Sequence, residues 1–225
     1  MKAKSMVIMM LFFAIGCAHY EVMVSSINHN ETVSNKVFVA PGMKDVAIND
    51  LQFQEFSNYI KKALIKKGCE IVNTIDEADQ VVMLAYAISG PQNYTADVPL
   101  WGPTGIESST TYGNIYSSGN NTSYYGTTTY NQTYGITGVA QVRRTFYVRT
   151  IMLIAFDWKL FKTKKVEKQL WKTDIVSIGN SNDLRYVFPY MIVAAEQYIS
   201  TNTTHAVTVK INENDSRVKE YIEDK

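Results

Sequence analysis

The stretch from Ser177 to Arg185 holds the densest set of residues able to do chemistry, with hydroxyls, a glycine, a carboxylate and a guanidinium close together. At a strand-to-helix turn, backbone amides there could cradle an anion. Ser177, Gly179, Ser181, Asp183 and Arg185 are the residues such a ligand turn would use. A nucleophile elbow needs glycine two residues either side of its serine. Gly179 precedes Ser181 correctly, but Asp183 stands where the second glycine belongs. The Gly-Lys-Ser/Thr ending of a phosphate loop is absent. Capping of the next helix by Ser181 or Asn182 explains the same residues more simply, and Asp183 suits the dipole there. The turn therefore favours capping over catalysis, and no catalytic residue is assigned.

Cysteine chemistry is sparse, with Cys17 and Cys69 alone in 225 residues. Cys69 follows Gly68 and leads into Ile71-Val72, which suits a small buried apolar side chain. A catalytic thiol would want a histidine, and His19, His29 and His205 lie in other segments. The acidic run Asp76-Glu77-Ala78-Asp79 lacks the glycine and closing glutamate of a calcium loop. It reads as a turn, so neither a metal nor a cofactor is expected.

Cys17 has a different setting. Lys2 and Lys4 precede ten unbroken apolar residues, Met6 to Ile15, and Gly16 is small: the layout of an export signal. A spanning helix needs about 20 apolar residues, so this run is too short for one. Ala14-Ile15-Gly16-Cys17 resembles the lipobox of bacterial lipoproteins, whose cysteine carries diacylglycerol. Residues 1–16 are thus expected to be removed and 17–225 to form a single envelope domain. The anchor is acylated Cys17, palmitate-type chains in the bilayer. Each buried methylene contributes about 0.8 kcal/mol, and two anchoring signals already hold stably. Ala18 follows the cysteine, where aspartate would retain the protein in the inner membrane of some bacteria. The outer membrane, facing the periplasm, is the expected address.

The mature chain of 209 residues would carry 20 basic and 21 acidic side chains. That balance, without a clustered basic footprint, argues against nucleic acid. Residues 102–138 differ in kind. Of these 37 residues, 31 are Gly, Ser, Thr, Tyr or Asn, and Glu107 is the sole charge. Such a segment cannot bury enough apolar surface to order itself unaided, although Thr127 to Ile136 has strand-forming character. It is expected to be a flexible insertion. Tyr112, Tyr116, Tyr124, Tyr125, Tyr130 and Tyr134 would give it a partner-contact surface at low entropic cost.

The elements that must position these residues follow from periodicity. Tyr20, Val22, Val24 and Ser26 alternate as a strand, and Lys36–Ala40 forms another, stopped by Pro41-Gly42. A helix starts at Asn49 with a capping box to Gln52, buries Phe53, Phe56, Ile60, Ala63 and Leu64, and stops at Gly68. Val81–Ile88 is a buried central strand. Val142, Phe146, Val148, Met152 and Ile154 define the apolar face of a long strand, with Arg143 and Arg149 on the other face. Lys159–Lys168 reads as a solvated hairpin tip and Gln169–Ile178 as the return strand. Asp183–Ser200 is a second helix that Pro189 should break or kink. His205–Asn212 and Asp215–Glu223 supply a last strand and a short amphipathic helix.

Several phrases resemble a family: Asp50-Leu51-Gln52-Phe53-Gln54-Glu55-Phe56, Ala78-Asp79, Leu170-Trp171-Lys172-Thr173, the Ser177–Arg185 turn and Phe188-Pro189. They are similar to small bacterial lipoproteins that carry the domain of unknown function numbered four-one-three-six. The resemblance implies an envelope address and an α+β fold but no reaction. The expected fold is α+β: a mostly antiparallel sheet covered by two main helices, with a long Tyr/Thr/Ser/Gly-rich insertion. The expected function is non-enzymatic, binding or organising an unidentified envelope protein or polymer. The alternatives are a hydrolase or small-ligand-binding protein using the 177–185 turn, and a subunit of an oligomeric export assembly.

Overall fold

A computed structural model describes residues 19–29 and 35–223. The export signal, Cys17 and most of the polar turn after the first strand lie outside the described residues. The described chain divides into two compact units, a body comprising residues up to Pro91 and from Phe146 onward, and a ribbon, Gln92–Thr145.

The strands are β1 (His19–Asn28), β2 (Lys36–Pro41), β3 (Glu70–Ile71), β4 (Gln80–Ile88), β5 (Gln92–Ser118), β6 (Asn121–Asp157), β7 (Gln169–Gly179) and β8 (Val207–Asn212). The helices are α1 (Leu51–Lys66), α2 (Trp158–Lys164), α3 (Leu184–Ala195) and α4 (Ser216–Glu223). The fold is mixed, with one large, mostly antiparallel sheet in the order β3-β2-β4-β6-β7-β1-β8, and β5 pairs β6 off that path. Only the pairings of β2 with β3 and with β4 are parallel within the body.

Period-two alternation builds the core face in rows across the body's strands. Val24, Ile175, Ile151 and Tyr86 stand side by side, as do Ser26, Thr173, Leu153 and Leu84. Helices α1, α3 and α4 all add buried side chains to this core. The Phe56 ring of α1 stacks on Phe188 of α3 at 4.0 Å and meets Tyr86 edge-on at 4.8 Å.

Local chemistry sets the helix ends. Asp50, not Asn49, caps α1: its Oδ1 accepts from Phe53 N–H at 2.9 Å, so the expected capping box is not formed. Gly68 ends it in the left-handed region (φ 83°), which a side chain disfavours. Helix α3 begins under Asp183 and continues through Pro189 to Ala195, so the proline does not end it.

Three further expectations need correction. The buried face of β6 is Arg149, Ile151, Leu153 and Ala155, while Val148, Met152 and Ile154 are half-buried on the opposite face. Both faces are apolar there, so alternation alone could not say which one the helices cover. The lysine-rich segment after Asp157 is exposed and joins the antiparallel β6 and β7 as a hairpin tip would, but it is wound into the short helix α2, where Lys162 Nζ donates to the carbonyls of Asp76 and Ala78. Residues 102–138 are strand apart from the turn, part of a ribbon wider than that span.

Candidate functional site

The turn between β7 and α3 comes first. Ser177 is buried; its Oγ donates to the Glu21 carbonyl at 2.9 Å and accepts from Arg149 Nη2 at 3.3 Å. Ser181 Oγ accepts from Asp183 N–H (3.2 Å), and Asp183 Oδ1 accepts from Tyr186 N–H (3.1 Å). Arg185 Nε donates to Glu55 Oε2 at 2.6 Å, tying the start of α3 to α1. Each hydroxyl, carboxylate and guanidinium of the sequence motif thus has a partner from the fold itself. The expected cap moves by one or two residues, from Ser181 or Asn182 to Asp183. The arrangement holds the helix in place rather than offering free groups to a ligand.

Gly179 has a role that spacing could not reveal. A Cβ built there would lie 2.5 Å from Arg149 Nη2, so the glycine makes room for that guanidinium. Arg149 is only 1% exposed, and its Nε and Nη1 have no hydrogen-bond partner. Burial pushes its pKa below the ordinary arginine value, since the charged form is the one that suffers from desolvation. The nearby tyrosines of β1 and α3 pack together: Tyr20 lies 4.4 Å from Tyr190 and 6.4 Å from Tyr186, centroid to centroid. Tyr186 Oη donates to Glu213 Oε1 at 2.8 Å; that bond, then one with Tyr20, then burial, hold its pKa far above 10.0.

Cys69 is half-buried, and burial pushes its thiol up despite the neighbouring Lys67. It is a thiol, not a thiolate, near neutrality, which is the wrong state for a nucleophile. Among the described residues no group of His, Cys, Asp and Glu side chains is arranged to hold a metal ion.

The ribbon is the second candidate. A two-residue turn with Gly119 at φ 59° joins β5 to β6, with the positive φ that tight hairpins require. Cross-strand hydroxyl pairs hold it: Thr111 to Thr128 at 2.8 Å, Thr104 to Thr133 at 3.1 Å, and Ser117 to Thr122 at 3.2 Å. The ring of Tyr124 lies over Gly113 and Gly126, where added Cβ atoms would sit closer than non-bonded atoms approach. With Thr111 opposite Thr128, the six tyrosines divide between faces. Tyr112, Tyr116 and Tyr125 share one face, and Tyr124, Tyr130 and Tyr134 the other. All six remain 58–80% exposed. Sequence found the tyrosines but not this division, because the pairing of the two strands sets it.

No family model matches the chain, and no curated protein does. Among solved structures it is similar to a PDZ domain protein from Parabacteroides distasonis ATCC 8503, at 14% identity and a TM-score of 0.40. That match covers 86% of this chain and 39% of the other. No helix among the described residues is long and apolar enough to cross a membrane.

Proposed function

We propose that this chain is a non-enzymatic lipoprotein of the bacterial envelope, held by acylated Cys17, whose ribbon binds or organises other envelope components. The observation that carries this reading is the ribbon itself: long paired strands, rich in tyrosine and threonine, exposed on both faces. An isolated two-stranded ribbon is marginal in water. A surface of this length with adaptable tyrosines suits contact with a partner. The sequence phrases that resemble those of small envelope lipoproteins support the same reading, and so does the lipobox-like run before Cys17. Within the body, α1 and α3 are read as the two main helices covering the sheet. The address is the outer membrane, facing the periplasm. A hydrolytic or ligand-binding role for Ser177–Arg185 is disfavoured, because the polar groups of that turn are engaged in capping and in ion pairing with Glu55.

One fractionation and cross-linking experiment tests the reading. The full-length chain, Cys17→Ala and a variant lacking 108–130 are expressed in the native envelope. Cys17→Ala should leave the membrane fraction and lose fatty-acid labelling. Deletion of 108–130 should keep the anchor but lose cross-linked partners. Partners unchanged by the deletion, or unchanged fractionation of Cys17→Ala, would count against the proposal.

A further inference from the structure

We propose that the ribbon's partner is a second copy of this chain: the outer edge of β5 in one copy pairs with the outer edge of β6 in the next, and successive ribbons close into one sheet. This rests on the reading of the ribbon as the contact surface and names its occupant.

The argument starts from backbone groups. In a two-stranded ribbon, half of the N–H and C=O groups of each strand bond across the pair, and the other half point outward. Natural proteins protect such edges with lysine, proline, bulges or inward charges. Here that protection is confined mostly to the base. Residues 92–145 contain no lysine, and β6 carries no charge and no proline from Asn121 to Val142. On β5, Pro99 and Pro103 interrupt the donors near the base, but from Thr104 to Ser118 Glu107 is the only charge and there is no proline. The unguarded span is therefore the distal part of both strands.

Charge then selects the pairing. The acidic residues of the ribbon, Asp97 and Glu107, are both on β5; the basic ones, Arg143 and Arg144, are both on β6. Pairing β5 with β5 would set Asp97 beside Asp97 and Glu107 beside Glu107, whereas β5 with β6 sets Asp97 near the level of Arg143 and Arg144 and leaves Glu107 beside uncharged residues. Two ribbons lying side by side in the same orientation already place β6 of one antiparallel to β5 of the next, so the ladder continues unbroken. This contact is head-to-tail and uses each edge once, and closure of the ring leaves no edge exposed. Tyrosines on both faces would then meet tyrosines and threonines of neighbouring copies as cross-strand pairs.

Full-length lipidated protein, extracted from envelopes in detergent, provides the test by mass photometry and negative-stain electron microscopy. Ser118 and Asn121 flank the two-residue turn as a hydrogen-bonded pair, so Thr111 and Thr128, an odd number of residues along, have outward-facing N–H groups. The double variant Thr111→Pro, Thr128→Pro removes a donor from each outer edge and keeps the backbone ladder of the ribbon, though it also removes the Thr111–Thr128 hydroxyl pair. Wild type should give a discrete ring several-fold heavier than the monomer, and the double variant should fall to monomer. The variant lacking 108–130 should also be monomeric with the body's circular dichroism and Tm retained, so a misfolded proline variant leaves the proposal testable. A monomeric or strictly dimeric wild type, or a ring kept by the deletion, overturns it. If wild type is monomeric but the deletion still loses a different cross-linked protein, self-pairing falls while the broader contact reading stands.

Discussion

Gly179 shows how a residue's meaning depends on a neighbour distant in sequence. Beside Ser181 and Asp183 it looks like part of an anion-binding turn; in the fold its missing side chain admits the Arg149 guanidinium. Gly179→Ala should therefore destabilise the protein by about 1–3 kcal/mol, the usual range for overpacking, read from urea denaturation midpoints. Arg149→Met should be neutral or stabilising, because it replaces a buried charge with unpartnered Nε and Nη1 by an apolar side chain. Ser177 would still donate to the Glu21 carbonyl. In the Arg149→Met background most of the alanine's penalty should vanish. If it persists undiminished, the contact between Gly179 and Arg149 is not what that position is for.

Elements were legible where one face alone is apolar and illegible where both are. The α1 stripe of Phe53, Phe56, Ile60, Ala63 and Leu64 is buried as periodicity requires. Its cap differs by one residue, since Asn49 and Asp50 both look suitable until the first helical N–H groups have a direction. Asp50→Ala should cost about 1 kcal/mol, the usual value of a lost N-cap, while Asn49→Ala should cost little; thermal melts of the two variants check this, and the reverse order would refute the assignment. In β6 the alternation was sound and the choice of face was not. The helices cover Ile151, Leu153 and Ala155, and the equally apolar Met152 and Ile154 are left on the other side. The ribbon was the larger miss. Low apolar content argued against order, but cross-strand hydroxyl pairs and a ring laid over glycines give strands that composition does not count.

At the scale of the whole molecule, hydrogen-bonded or buried tyrosine hydroxyls link the fold to alkaline pH. The Glu213 bond holds Tyr186 protonated; burial, then the bond to Glu196, does the same for Tyr221; and burial raises Tyr190. A group with a raised folded-state pKa contributes stability in full below its unfolded value, about 10 for tyrosine, and loses it as pH climbs towards the folded value. Tm should fall above about pH 10, and Tyr186→Phe with Tyr221→Phe should flatten that fall; an unchanged slope in the double variant would overturn the account. The sequence by itself determined the order of the body's main strands and helices apart from α2, most of its core stripes, and the isolation of Cys17 behind a short apolar run. These follow from local periodicity and composition, which need no partner elsewhere in the chain. Only the tertiary structure decided which face of β6 is buried, why position 179 is glycine, and that 92–145 is a paired ribbon with tyrosines on both faces. Each of those depends on contacts between residues far apart in sequence, such as Arg149 with Gly179 and Thr111 with Thr128, and no local pattern encodes them.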